Sequence, residues 1–404
     1  MTLQPLISRR RLAAGATAIV LAVGTVLIGS TSAQGYAPHP NPDSLLTPQT
    51  HFTMQPDGSS GATVGGEHIP NIDVDKKTIA TYYGDPGTGI ANKTASPYIT
   101  EMNGIVAHMT SQLSALYAAS VATGKTPAIV LDTDDTMLMT YDREVSVMHF
   151  NFNPVQNNLD VLNEVFPATP AMVAFENAAI AQGFQVIGIT GRSAAQQAAS
   201  IENVTNVGYT GFTTANYFTK WAAGAQPSYI TCAAASCTTV EYKAGTRKYL
   251  EAAGGYDIAL NVGDQWSDLQ GGSADHSVKL PNPTYYLPSP DLAGMSEPQL
   301  APRTTFTMAA DGSSGATQGG EGIPNIDSVK KTIAAYYGDP GTGISNKVDS
   351  PYIREMKTLT QRQGAITAAA CYIGKKLHQN PAVILDADDT TLWTYDMEVA
   401  AMHF

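Results

Sequence analysis

The stretch VLDTDDTMLMTYD, Val130 to Asp142, sets an apolar run directly against three aspartates. With Ala128 and Ile129 in front, the run AIVLD has the length of a short strand without a polar face. Such a strand belongs in a parallel sheet covered by helices on both sides, and sheets of that kind bind ligands at the carboxyl ends of their strands. The aspartates stand at that end. Two further runs read the same way: QVIGIT, Gln185 to Thr190, and DIALNVGD, Asp257 to Asp264. Helix signals lie between them. Thr169-Pro170 offers an N-cap and a first-turn proline for a helix to about Gln182, closed by Gly183, and a second helix is expected from Ser193 to about Asn203. Thr238 with Glu241 forms a capping-box signature for a helix that carries Lys243 and stops before Gly254-Gly255. The sequence therefore predicts an α/β fold with a parallel sheet and helices on both faces.

Asp132 and Asp134 are two apart, so on extended backbone their side chains point to one side. A carboxylate in the first position suits attack on phosphorus with formation of an acyl phosphate. A carboxyl in the second suits proton delivery to a leaving alkoxide and proton removal from water. Phosphoryl transfer also needs the charge on the equatorial oxygens neutralised. Thr190, in ITGR, supplies a hydroxyl for one oxygen, and Lys243 supplies a cation for another. Asp264 and Asp268, in VGDQWSD, join Asp132 in a hard oxygen site suited to Mg²⁺. Taken singly, each feature has a plainer reading as a turn former, a cap or a solvated lysine. Their order and their placement at strand ends argue for a joint role.

The ordered set VLDTDDT, VIGITGR, YKAGTRKYL and NVGDQWSD, followed by KLPNPTYYLP, resembles the haloacid dehalogenase superfamily of phosphohydrolases. Within it the likeness is to the acid phosphatases of the class B and plant type, a branch that includes vegetative storage proteins, and it covers most of residues 70–290. The resemblance implies a Rossmann-like core, Mg²⁺ as cofactor and hydrolysis of small phosphomonoesters through an aspartyl-phosphate. It further implies Asp132 as nucleophile and Asp134 as general acid/base, the latter also giving its main-chain carbonyl to the metal. Thr190, Gly191 and Lys243 become phosphate ligands, Asp264 a direct metal ligand, and Asp268 either a metal ligand or a residue that supports one from behind. Two other outcomes use the same fold: a non-catalytic storage or binding protein, and a nucleotidase or phosphotransferase.

The remaining signals bound the setting. A formal charge of −12 offers no basic surface to a nucleic-acid backbone or an anionic membrane. Residues 1–33 read as an export signal, SRRRL followed by an uncharged run and TSA, with paired arginines like those of the twin-arginine route, which predicts a secreted protein. Residues 34–66 read as linker. Cys232 and Cys237 are disulfide candidates, and Cys371 has no evident mate. The glycine-rich YYGDPGTGI lacks the Lys-Ser/Thr of a phosphate-binding loop and reads as a structural turn. His149 and His403 show no metal-ligand spacing. Trp266 is expected to shield the metal loop, and Met137–Pro167 to form the flap that selects substrate, with Tyr141, Phe150 and Phe152 either stacking on a ring or packing the core.

The phrase ILDADDTTLWTYD returns at Ile384 to Asp396, and residues 50–150 align without a gap on 304–404 at a constant offset of 254. The expected organisation is thus a domain over 67–290, a linker over 291–303 and a truncated second copy over 304–404. Asp386 and Asp388 repeat the two leading acids without the lysine or the later acids, so that copy is not a complete site. It is expected either to be the fragment of a longer two-domain protein or a shortened duplication, or to compete with 50–150 for a place on the remaining core.

Overall fold

Val130 and Leu131, the apolar lead-in to the aspartates, end the central strand of a five-stranded parallel sheet in a computed structural model that describes residues 49, 51–54, 60–61, 67–287, 289–295, 305–316 and 321–402. Two compact units are present, one running Leu45–Ala335 and the other containing Tyr336–Met402. The signal-like segment and His403 lie outside the described residues.

In the larger unit the chain begins with β1 (His51–Thr53), α1 (Ile72–Tyr82) and α2 (Pro97–Ala122). Asn71 caps α1 by accepting the Asp73 amide, and two first-turn acids complement the positive helix end. Ser96 caps α2 with Pro97 behind it. Strand β2 (Thr126–Leu131) leads into the flap helices α3 (Tyr141–Ser146) and α4 (Pro154–Leu162), then α5 (Met172–Gln182). Helix α5 starts two residues later than Thr169-Pro170 suggested. The Thr169 amide donates to the Met137 carbonyl at 2.8 Å and so ties that residue to the flap, and Ala171 turns the chain with φ 67°. Strand β3 (Gln185–Ser193) runs three residues past the expected end, so the following helix opens as a 3₁₀ turn (Ala194–Gln196) before α6 (Gln197–Asn206). After β4 (Tyr217–Lys220) comes α7 (Thr239–Ala252), whose capping box between Thr238 and Glu241 is formed as expected. Then follow β5 (Tyr256–Gly263), α8 (Trp266–Leu269), β6 (His276–Lys279), β7 (Thr305–Thr307) and α9 (Ile326–Tyr337). Cys232 and Cys237 form a disulfide with Cα atoms 4.9 Å apart.

The sheet order is β4-β3-β2-β5-β6. The chain leaves β2 toward one edge and returns beyond it to the other, which makes the carboxyl ends of β2, β3 and β5 the crevice of the sheet. Alternate residues of β2 face opposite layers. Ile129 and Leu131 join a large core with Met102 of α2 and Phe175 of α5, while Ala128 and Val130 pack with Tyr242 and Leu250 of α7. Both faces are covered, as the absence of a polar face required. Among the described residues no helix is long and apolar enough to cross a membrane.

The larger unit does not end near residue 290. Phe306 in β7 pairs with Phe52 in β1, the two pack on Val74, and Ile323 and Ile326 enter the main core. The front of the repeated segment is thus part of the same compact body as the sheet.

In the smaller unit, α10 (Pro351–Lys376) and α11 (Tyr395–Ala400) rebuild the local packing of the first copy. Tyr337 stacks between Tyr352 and Tyr395 at 4.7 and 4.1 Å, as Tyr83 stacks between Tyr98 and Tyr141 at 4.5 and 4.2 Å. Asp339 closes its glycine-rich turn by accepting the Gly341 and Thr342 amides, as Asp85 does for Gly87 and Thr88, so YYGDPGTGI is a turn in both places. The strand is not rebuilt. Residues 381–386 adopt no strand and Ile384 is 94% exposed, because an apolar strand needs neighbours on both edges.

Candidate active site

Three chain segments meet at the crevice. Asp132 and Asp134 follow β2, and the Asp132 amide still donates to the Val262 carbonyl of β5 at 3.1 Å, which fixes where its side chain starts. Lys243, in the first turns of α7, places Nζ 2.6 Å from an oxygen of Asp132 and 2.6 Å from one of Asp268. Asp264 follows β5, and Asp268 comes up from the short helix α8. One carboxylate oxygen each from Asp132, Asp264 and Asp268 lies within 4.8 Å of the others. Gly263 makes this approach possible, since a Cβ there would strike the Asp268 carboxylate. The acids are oriented from behind: the Gln265 amide donates to Asp268 at 2.9 Å, and the side chains of Gln265 and Asn282 each donate to Asp264 at 2.8 Å.

Arg192 is the second cation. Its guanidinium grips Asp134 at 2.6 and 3.1 Å, donates to Ser200 at 2.9 Å and lies 5.5 Å over the Phe166 ring. Burial works against its charge, but Asp134 outweighs that and raises its pKa. Lys243 behaves alike: burial disfavours the ammonium, and the carboxylates of Asp132 and Asp268 more than restore it. Burial first, then the neighbouring acids, push Asp132 well above the carboxylate range despite Lys243. Asp264 is pushed up to about 7 by burial and the charges of Asp268 and Asp135. With Asp135 counted, five carboxylates gather around the two cations Lys243 and Arg192, so acids outnumber cations in a buried place. The donor set is all hard oxygen, and a divalent cation would neutralise that surplus. The residues present therefore fit such an ion.

Beside the acids opens a cavity of about 350 Å³, lined by Thr190, Gly191, Gln196, Tyr285 and the flap residues Glu144, Phe152 and Asn157. Thr190 is buried, and its hydroxyl oxygen accepts the Arg192 amide at 3.3 Å. Residues 89–288 match the family described as HAD superfamily, subfamily IIIB (Acid phosphatase). Residues 89–288 form a domain of this family. "Acid phosphatase 1" of Solanum lycopersicum is 30% identical over 167 residues, covering 39% of this chain and 58% of that protein. The "Stem 28 kDa glycoprotein" of Glycine max is 35% identical over 123 residues, covering 30% and 44%. "Vegetative storage protein 2" of Arabidopsis thaliana is 50% identical over 50 residues, covering 12% and 18%. The chain thus spans about half the length, or less, of the curated relatives it matches. A class C acid phosphatase from Bacillus anthracis overlays with a TM-score of 0.37 at 20% identity, covering 52% of this chain and 86% of that one.

The matched domain brings Asp132, Asp134, Thr190, Gly191, Lys243, Asp264 and Asp268 to one cavity. Asp386 and Asp388 are exposed and join no such group among the described residues. Of the flap aromatics, Tyr141 and Phe150 are buried in the core, and Phe152 alone reaches the cavity. His149 is exposed, and Trp266 is half-buried on α8. Sequence reasoning passed over Arg192, although it stands two residues after Thr190 in an extended strand and so shares its side. It also passed over Asn282, in the loop after β6, and Glu144. Glu144 is 2% exposed, and its Oε2 has no hydrogen-bond partner among the described residues.

Proposed function

We propose that this chain is an acid phosphatase that hydrolyses small phosphomonoesters with Mg²⁺ and an aspartyl-phosphate intermediate. The single observation that carries the reading is Lys243 bridging Asp132 and Asp268 beside Asp264, at the mouth of a cavity that also holds Asp134 and Thr190.

A carboxylate oxygen of Asp132 attacks phosphorus; the new P–O bond forms as the bond to the ester oxygen breaks. Asp134 delivers its proton to that leaving oxygen, and the alcohol departs. Water then attacks the acyl phosphate, Asp134 takes its proton, and inorganic phosphate leaves with Asp132 regenerated. Arg192 aims the Asp134 carboxyl, Lys243 screens Asp132 from the incoming dianion, and the Thr190 hydroxyl holds a phosphoryl oxygen. When bound by Asp132, Asp264, Asp268 and the Asp134 carbonyl, Mg²⁺ supplies charge neutralisation. Glu144 and Phe152 meet the leaving group, so the flap sets the choice of ester. The leader at residues 1–33 supports export from the cell.

The likeness to a vegetative storage protein supports a second reading, a non-catalytic protein on this fold. Hydrolysis of p-nitrophenyl phosphate by the purified chain, with and without Mg²⁺, separates the two. Turnover that disappears in Asp132→Asn supports the enzyme, and no turnover in the unaltered chain removes it.

A further inference from the structure

The front of the repeated segment reaches the acidic site from behind. Glu321, 1% exposed, accepts from Lys279 Nζ at 3.0 Å and from the Asn282 amide. Asn325 donates through Nδ2 to the carbonyls of Asn282 and Tyr285 at 3.0 and 2.6 Å. Asp327 accepts the Tyr286 amide at 2.8 Å, and the Ile326 amide donates to the Pro283 carbonyl at 2.9 Å. One short stretch therefore grips the Asn282–Tyr286 loop along its length. On its other side that loop sends the Asn282 side chain to Asp264 at 2.8 Å and to Asp135 at 3.4 Å.

The first copy contains the same groups. GEHIPNID at 66–73 matches GEGIPNID at 320–327, so two leaders exist for one loop. They are used differently. Asn71 and Asn325 both accept the amide two residues on, at 2.9 and 3.0 Å, and so both start a helix. Only Asn325 also spends its amide donor on the loop; Asn71 and Asp73 are exposed. Among the described residues, buried Lys279 pairs with one carboxylate, and it is Glu321 of the second leader. Neither leader falls in residues 89–288, so the family match does not account for either.

We propose that Glu321, Asn325 and Asp327 are positioning residues for the first unit's acidic site: the second copy's leader, and not the first copy's, completes that site by fixing the Asn282–Tyr286 loop behind Asp264. The part concerning cation binding rests on the phosphatase reading. The part concerning the loop does not.

The test uses the full chain and a matched pair of near-isosteric substitutions. Asn325→Asp keeps the cap on the Asp327 amide but removes the donor to the two loop carbonyls, while Asn71→Asp makes the same change in the other leader. Amide hydrogen exchange over 282–286 and calorimetric titration with Mg²⁺ are the readouts, with far-UV circular dichroism as the check on folding. N325D is expected to speed exchange in the loop and to weaken Mg²⁺ binding about tenfold, the size seen when a group orienting a metal ligand is lost. N71D is expected to change neither. Asp327→Ala, which removes the carboxylate that accepts the Tyr286 amide, serves as the second variant. The proposal is overturned if N71D frees the loop, if N325D and D327A both leave it protected, or if the loop loosens with Mg²⁺ affinity intact. It is also overturned if N325D and D327A both unfold the chain, since the leader is then only a structural prop. Should the unaltered chain lack turnover while the exchange pattern holds, the phosphatase reading fails and the loop assignment stands.

Discussion

Lys243 Nζ lies 2.6 Å from an oxygen of Asp132, although 111 residues separate the two along the chain. The same ammonium is as close to Asp268, so one cation offsets two buried acids. Lys243→Met leaves both uncompensated. Without Mg²⁺ this is expected to cost about 3–5 kcal/mol of stability, part of which Mg²⁺ restores, and kcat is expected to fall about 10²–10³-fold. Urea unfolding with a chelator and again with Mg²⁺ checks the first. An unchanged midpoint in the chelator arm would mean that the ion pairs contribute nothing.

Arg192 holds Asp134 with two prongs, and that geometry is separable from its charge. Arg192→Lys keeps the charge and loses the fork. Asp134 is then free to swing, so kcat is expected to drop about 10²-fold, the lower end of what a placed acid/base contributes, with KM little changed. Steady-state kinetics on p-nitrophenyl phosphate reads this split. A KM effect with kcat intact would instead make Arg192 a substrate-binding group.

The central strands were legible because each ends in chemistry: apolar runs over 128–131, 185–189 and 258–262 stop at residues that an ordinary loop would not need. The edge strands β4 and β6 were not. YFTK and HSVK are short and half exposed, with no apolar run to mark them. Arg192 was within reach of the period-2 argument that pairs it with Thr190. Asn282 was not, because its value depends on how the loop after β6 folds back onto Asp264. The role of 321–327 lay beyond the sequence altogether. Two nearly identical leaders satisfy every local rule equally, and only tertiary packing selects one.

Asp75 on α1 is buried, and neither carboxylate oxygen has a hydrogen-bond partner among the described residues. The matched position of the second copy holds Val329. Burial raises the Asp75 pKa well above 3.8, so the folded chain binds that proton more tightly than the unfolded one. Its cost to stability is therefore absent below the unfolded carboxylate pKa, grows as pH rises from there, and levels off above the folded pKa. Asp75→Val is expected to stabilise the chain at pH 8 by about 1–3 kcal/mol and to have less effect at pH 4. Urea midpoints at the two pH values check the sign, and an equal gain at both would point to packing alone.

Two truncations separate the parts of the repeated segment. Ending the chain after Ala335 removes the smaller unit and leaves Phe306, Glu321 and Asn325 in place. Ending it after Gly294 strips Phe306 from Phe52, removes the Ser314 and Gly315 amides from Glu101, and leaves buried Lys279 without its carboxylate. Leaving the Lys279 charge buried without its partner costs about 3–5 kcal/mol, which in a unit of this size lowers the melting temperature by roughly 10 °C. The shorter chain is thus expected to melt well below the intact protein and to bind Mg²⁺ more weakly, while the longer truncation matches the intact protein in both. Differential scanning calorimetry with and without Mg²⁺ reads the difference. Equal melting of the two truncations would mean that residues 295–335 are passive and that the sheet with its own helices suffices.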